Sequence, residues 1–410
     1  MIKPWKAQGI KGILAYFICF MLAAAILAGC GAVASYDLDK VESSIIEGNE
    51  QFAINIFKKL NIEDGDSNIF ISPLSISTAL TMTYNGAGST TREAMAEALN
   101  YKDIELETIN TGYKNLLIYL KNADSKVLLN ISNSIWFREG EAIKQDFLAR
   151  NKENFDARVS EIDFQDPKAA DTINGWISES TKGKIDKMLD SPISPDVVMY
   201  LINAIYFKGQ WTRQFDKKLT FDGTFITADG KHKEVKMMSR QGDVEYGEAG
   251  NAKIVKLPYG KEKISMYCIL PEESVNINDY INQFDIGEWN ELKDSLSKTR
   301  DVILQIPRFM IEYGIKDLND SLTALGMGEA FGPSADFTGI REGIFISAVL
   351  HKAVIEVNEE GSEAAAATVV EKKETAMLEP TRFIADRPFI FIIADEETGT
   401  ILFMGKLTDV

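Results

Sequence analysis

The chain has 410 residues, with 44 Lys+Arg against 61 Asp+Glu and a formal net charge of −17. So acidic a balance excludes nucleic acid, heparin-like polyanions and peripheral adhesion to anionic lipid as partners of the folded body. Three cysteines and two histidines are too few for a disulfide framework or a dedicated zinc cluster, and no metal or cofactor is expected.

Residues 1–29 read as a signal peptide rather than as fold. Lys3, Lys6 and Lys11 form a positive start, and Ile13 to Leu27 is an apolar run too short for a comfortable membrane span. Leu27-Ala28-Gly29-Cys30 then looks like a lipobox, which would leave Cys30 lipidated, a membrane anchor on a secreted, surface-held protein. A plain secretory signal is the alternative. Each buried CH₂ of an acyl chain adds roughly 0.8 kcal/mol of membrane affinity. Residues 30–44 read as a tether. Cys19 leaves with the signal, so Cys268 is the one thiol left to the body. Packing alone must hold the remaining ~370 residues, a length that buries a large core. No internal linker or repeat divides 45–410, which is expected to be one monomeric domain.

In the body, Phe52, Ile56, Phe57 and Leu60 follow helical spacing. A short strand ends at Ser72, which can cap a helix opened by Pro73 and ended near Asn85-Gly86-Ala87-Gly88. Thr90-Thr91-Arg92-Glu93 has capping-box spacing. Val127 to Phe137 alternates as a strand, Trp176 to Leu189 reads as a helix interrupted at Gly183, and Val198 to Phe207 is a doubly buried strand. Strands then dominate: Val235 to Met238, Lys253 to Tyr259, Ile264 to Leu270, Val302 to Phe309 and Met310 to Lys316. A short helix over Leu318 to Leu325 stops at Gly326. Val349 to Val357, Phe389 to Ala394 and Ile401 to Lys406 are further strands. Helices early and strands late imply an α+β fold.

The stretch from Glu359 to Val370 contradicts itself locally. Ala364 to Ala367 favour helix, whereas Thr368-Val369-Val370 favour strand. An Ala-rich surface helix or a flexible tether is one reading. The other is a strand in waiting. Alternation then puts Ser362, Ala364, Ala366, Thr368 and Val370 on one face, all small or apolar and none charged. Such a strand can slide into a packed sheet without burying bulk or charge.

Glu359-Glu360-Gly361-Ser362-Glu363-Ala364-Ala365-Ala366-Ala367-Thr368, preceded by Ile346 to Ala353 and followed by Arg387-Pro388-Phe389, closely resembles the hinge and reactive loop of the serpins. Asn68 to Leu80, Asn203 to Trp211 and Ala335 to Ile340 resemble further serpin segments, in the family's order. The resemblance covers nearly everything from Ile45 to Val410. It implies a serpin fold: a helical N-terminal part, a central, mostly antiparallel sheet, smaller sheets and an exposed loop over about 359–386. It also implies inhibition of serine or cysteine proteases. The protease cleaves the loop, and the cut end inserts into the central sheet. Glu359, Gly361, Ser362, Ala364, Ala366 and Thr368 take the hinge role. Trp211 covers the insertion point, and Asn203 and His351, with Ser72 and Ser75 beneath, link the strands that must part.

The resemblance also implies a scissile bond: counting from Glu359-Glu360-Gly361 by the usual serpin loop length puts it at Thr375-Ala376, which suits an elastase-like or subtilisin-like protease. Lys372 and Lys373 are trypsin-like alternatives and Met377 a chymotrypsin-like one. A non-inhibitory surface-binding serpin is the alternative function. An enzyme is not expected. No Gly-x-Ser-x-Gly elbow surrounds a serine, His232 lies in a polar turn, and His351 shares strand parity with Val349, Ala353 and Ile355 and faces the core.

Overall fold

A computed structural model of the chain describes residues 36–140, 142–362 and 379–410. Cys30 lies outside them, as do Ala364, Ala366, Thr368, Lys372, Lys373, Thr375, Ala376 and Met377. Helix α1 (Ser43–Glu63) leads into strand β1 (Ile69–Ile71) and α2 (Pro73–Tyr84), then α3 (Ser89–Ala98) and α4 (Leu106–Asn122). Next come β2 (Val127–Arg138), α5 (Gln145–Phe155), β3 (Arg158–Ile162), α6 (Ala169–Ser180) and β4 (Met199–Gln210). Four strands follow, β5 (Phe221–Ile226), β6 (His232–Ala249), β7 (Ala252–Tyr259) and β8 (Ile264–Pro271), then α7 (Ile277–Gln283) and α8 (Ile286–Ser295). After β9 (Ser297–Pro307), β10 (Phe309–Glu312), β11 (Lys316–Asp317) and α9 (Asn319–Thr323), the chain closes with β12 (Ala348–Val357), β13 (Gly361–Ser362), β14 (Arg382–Ile384), β15 (Phe389–Asp395) and β16 (Ile401–Leu407).

Two sheets result, and the class is α+β as expected. One has nine strands in the order β1-β16-β15-β8-β7-β6-β9-β14, with β5 on β6. The other has seven, in the order β10-β12-β4-β2-β3, with β11 on β12 and β13 on β4. In this second sheet β12/β4 and β2/β3 pair parallel, and the remaining pairs are antiparallel. Its inner face, carrying Leu201, Ile205, Phe207, Val349, Ala353 and Ile355, joins the main core. Its outer face, with Trp136, Tyr200, Ile202 and Leu350, is covered by Ile173 and Ile177 of α6 and by Ile185 and Met188 beyond it.

Helix α2 lies between the sheets, against β2 and β4 of one and β16 of the other. Every one of its residues is buried, although it carries five Ser and Thr hydroxyls besides the Tyr84 phenol. The helix can afford them because the side chains bond back to its own carbonyls: Thr78 to Leu74 O at 2.7 Å, Thr81 to Ser77 O at 2.7 Å and Thr83 to Leu80 O at 2.8 Å. Its start follows the expected chemistry, with the Ser72 hydroxyl accepting the Ser75 N–H at 3.3 Å and Pro73 in the first turn.

Three local readings are corrected. The capping box at Thr90 does not form. Helix α3 starts earlier, at Ser89, behind Gly88, and the Thr91 hydroxyl instead accepts the Asp336 N–H at 2.9 Å. The expected helix over 176–189 is α6, which ends at Ser180. Lys182 turns left-handed at φ 55°, and Gly183 N–H returns to Ser178 O and Lys182 N–H to Glu179 O, a Schellman stop rather than an interruption. The strand expected over 310–316 splits into β10 and β11 around Gly314.

The Thr81 hydroxyl also bonds the buried Tyr101 hydroxyl at 2.6 Å. Thr81→Val keeps the shape and removes both bonds, so it should cost about 1–2 kcal/mol, read as a lower urea midpoint at unchanged slope.

Candidate functional site

The inner faces of three neighbouring strands are apolar except at one row. Residues 127, 129, 131, 135 and 137 of β2, 199, 201, 205 and 207 of β4, and 349, 353, 355 and 357 of β12 are all apolar. Asn133, Asn203 and His351 interrupt them, and the register sets the three side by side: His351 opposite Asn203, and Asn133 opposite Asn203. All three are buried. The polar groups of this row pair with one another and with the start of α2. The Asn203 amide donates to Ser75 Oγ and to Asn133 Oδ1. His351 Nδ1 lies 2.6 Å from Asn203 Oδ1. The Ser72 backbone N–H donates to His351 Nε2 at 3.2 Å.

That last bond fixes the tautomer. Nε2 must present its lone pair, so Nδ1 carries the proton and donates to Asn203. A second proton would face the Ser72 N–H. Burial likewise holds the imidazole neutral, down to about 3 from its ordinary 6.5. Ser72 is fully engaged as well, its hydroxyl donating to Leu402 O at 2.7 Å in β16. One row of side chains thus ties three strands of one sheet to a helix and to the other sheet.

At its top, β4 changes partner. Tyr200 to Tyr206 pair with Ala348 to Val354 of β12, but Gly209 and Gln210 pair antiparallel with Ser362 and Gly361 of β13. The chain leaves β12, turns through Glu359 and Glu360, and comes back down. Asn358 and Gly361 close this turn with reciprocal backbone bonds of 3.0 and 3.2 Å. Gly361 has φ +134°, and a Cβ there would meet Gly209 O at 2.2 Å, so only glycine fits. The first residues of an extra strand are therefore already seated in the fork between β12 and β4.

Three anchors hold the turn. The Glu359 carboxylate is 1% exposed, accepts from Arg308 Nε at 2.8 Å and Nη2 at 2.5 Å, and takes the Thr220 hydroxyl at 2.5 Å. Burial alone would raise this carboxyl, but the Arg308 and Thr220 bonds outweigh it and hold it below the usual range. Glu360 pairs with Lys217. Trp211 stacks on Tyr259 with centroids 4.4 Å apart. Its indole N–H donates to Asn358 O at 2.9 Å and its backbone N–H to Glu360 O at 3.0 Å. Tyr259 reaches Ser362 Oγ at 3.2 Å.

The structure brings Glu359, Gly361, Ser362 and Trp211 together at the top of this seam. Ser72, Ser75, Asn203 and His351 meet six residues lower on β4, about 20 Å away. Asn133, Arg308, Thr220, Lys217 and Tyr259 were not anticipated. Asn133 had a signal, a lone polar residue at an apolar parity. The others are long-range partners that no local pattern marks.

This is an α+β molecule whose seven-stranded sheet forks around the start of a returning strand. The serpin (serine protease inhibitor) family profile matches residues 47–410. A serpin-like protein of Methanosarcina mazei is 35% identical over 379 residues, covering 88% of this chain and 87% of that one. The leukocyte elastase inhibitor of Bos taurus is 35% identical over 375 residues, covering 88% and 98%. The native-state crystal structure of the thermophilic serpin tengpin superposes with a TM-score of 0.83 at 34% identity, covering 92% of this chain and 96% of that one. This chain belongs to the serpin family.

Between about pH 6.5 and 3 the unfolded chain takes a proton that folded His351 refuses, so acidification through this window removes stability. This group contributes at most about 1.4 kcal/mol per pH unit. His351→Gln should flatten the fall relative to the parent, and parallel curves would assign the slope elsewhere. Asn203→Ala should cost about 1–3 kcal/mol at pH 7, because the His351 Nδ1–H then lies buried with no acceptor.

Proposed function

We propose that this protein inhibits a serine or cysteine protease by offering its loop as substrate and inserting the cut end into the seven-stranded sheet, the mode known for serpins. The observation that carries this is the pairing of Gly361 and Ser362 with Gln210 and Gly209. Continued downward in the same register, Ala364 would come opposite Phe207, Ala366 opposite Ile205, Thr368 opposite Asn203 and Val370 opposite Leu201. Opposed residues of an antiparallel pair share a face, so the small residues would all turn to the core. Thr368, the polar one, would arrive at the polar row. About ten added ladder bonds at roughly 0.5–1.5 kcal/mol each give on the order of 10 kcal/mol. That is comparable with the whole stability of a typical domain, about 5–15 kcal/mol.

The scissile bond in this reading is Thr375-Ala376, with Lys372, Lys373 and Met377 as alternatives. The target is elastase-like or subtilisin-like, a choice supported by the name of the bovine relative. His351 serves as a latch rather than a base, since its Nε2 is occupied by the Ser72 amide and the ring is buried. The protein acts as a monomer, secreted and held at the cell surface by lipid on Cys30.

Incubation with elastase and with subtilisin should yield an SDS-stable complex, and the loop-cleaved protein should melt well above the intact one. Ala366→Arg should leave cleavage intact and abolish the complex, because a cation cannot enter the core unpaired. Clean cleavage without complex or thermal gain would leave a non-inhibitory binding serpin instead. Cys30→Ala should move the protein from the detergent to the aqueous phase in phase partitioning.

A further inference from the structure

One ring of the nine-stranded sheet lies across the top of β4. Phe207 and Gly209 face inward from that strand, and Trp211 follows just beyond it. Tyr259, the last residue of β7, packs on all three. It meets Phe207 edge-on at 5.1 Å and lies flat on Trp211. Between them, a Cβ on Gly209 would come within 2.8 Å of the ring, so the bare glycine lets the ring sit against the strand. The backbone behind the ring is fixed too. Gly260 N–H donates to Gln210 O at 2.7 Å. The buried Asp124 carboxylate accepts the Lys261 N–H and, at 2.8 Å, the Lys126 N–H.

Tyr259 is fully buried, and burial raises the pKa of its phenol, which therefore keeps its proton. Its hydroxyl has one hydrogen-bond partner among the described residues, Ser362 Oγ at 3.2 Å, and the Ser362 side chain has no other. Gly361 stands between this pair and the anchors. Arg308, Thr220, Lys217 and the Trp211 indole hold Asn358, Glu359 and Glu360, all on the near side of it. With φ +134° and no side chain, Gly361 is a swivel. The anchors therefore fix where the chain leaves β12 but not where it heads next. Past the swivel, the described chain is held by two pairings with β4 and by this one side-chain bond. Two pairings at the tip of a strand open easily, whereas the phenol is fixed from the other sheet.

We infer that Tyr259 is a positioning residue: its hydroxyl turns the chain beyond Gly361 into the seam, and by seating Ser362 it sets the start of insertion. The second half of this assignment rests on the inhibition proposed above; the seating does not. A cut loop whose first residue is already seated adds its next residue at once. An unseated one must first find the fork, while the bound protease has time to free itself.

Hydrogen–deuterium exchange of the intact protein reads the seating directly. Tyr259→Phe keeps the ring and removes the bond, and should speed exchange across the 209–210 and 361–362 pairing by about 2- to 10-fold. With elastase or subtilisin, the number of inhibitor molecules consumed per trapped protease should rise by a similar factor. Ser362→Ala removes the same bond from the other side and should act alike, and the double variant should do no more than either single one. A ring that only fills space would leave Ser362→Ala like the parent. Unchanged exchange in Tyr259→Phe, or single effects that add in the double variant, would overturn the seating. Faster exchange with unchanged consumption, in a parent that does trap protease, would overturn its role in insertion. Faster exchange in a parent that traps nothing supports the seating and removes the inhibition instead.

Discussion

The parallel join between β4 and β12 is the contact on which the rest of the molecule depends. It runs from Ala348 beside Tyr200 to Val354 beside Tyr206 and goes no further. Above it the two strands part and the turn from Glu359 to Ser362 occupies the gap. Parallel pairs are slightly weaker per residue than antiparallel ones, and this one carries a buried polar row across its middle. Satisfied hydrogen bonds contribute modestly, but the same groups left open are expensive. The row therefore penalises a half-open sheet more than it stabilises a closed one. Either the join stays shut, or something must arrive to satisfy Asn203 and His351 from between them.

The turn above the join is over-determined. Its two acidic side chains are held by Arg308, Thr220 and Lys217, and its carbonyls by Trp211 and Phe215. Nothing there is left to slide, so β13 can lengthen only downward. Lengthening means separating β4 from β12 one row at a time. The fork thus fixes both the register and the direction of any added strand.

Much of this was legible in the residues. Period-two alternation located β2 and β12, and short apolar runs bounded by turn residues located β4, β7, β8, β15 and β16, to within a few positions. Ser72 and Pro73 announced the start of α2 by local chemistry alone. What failed was decided at long range. Thr91 abandoned its helix for Asp336, 245 residues away, and the Arg308–Glu359 pair spans 51 residues. Asn133 stood out as the lone polar residue among Val127, Leu129, Ile131, Ile135 and Phe137, but its partner Asn203 lies 70 residues away and no local pattern names it. The end of α6 turned on Lys182 adopting a left-handed backbone, a conformation lysine does not advertise. Glu359, Gly361 and Ser362 were singled out by the family resemblance, because the Ala-rich run beside them reads by itself as helix or as strand.

Helix α6 sets a further condition. It lies over Tyr200, Ile202 and Leu350 on the outer face, and the polar side chain of Asn174 straps it to the segment beyond through Leu189 O, Leu189 N and Met188 N. In the proposed inhibition, a strand advancing from the top would run under this lid after its first rows, the second half of its insertion would carry its own barrier, and the time taken to cross it would compete with the time a bound protease needs to free itself. The grip of one twelve-residue helix would decide which of the two clocks runs out first.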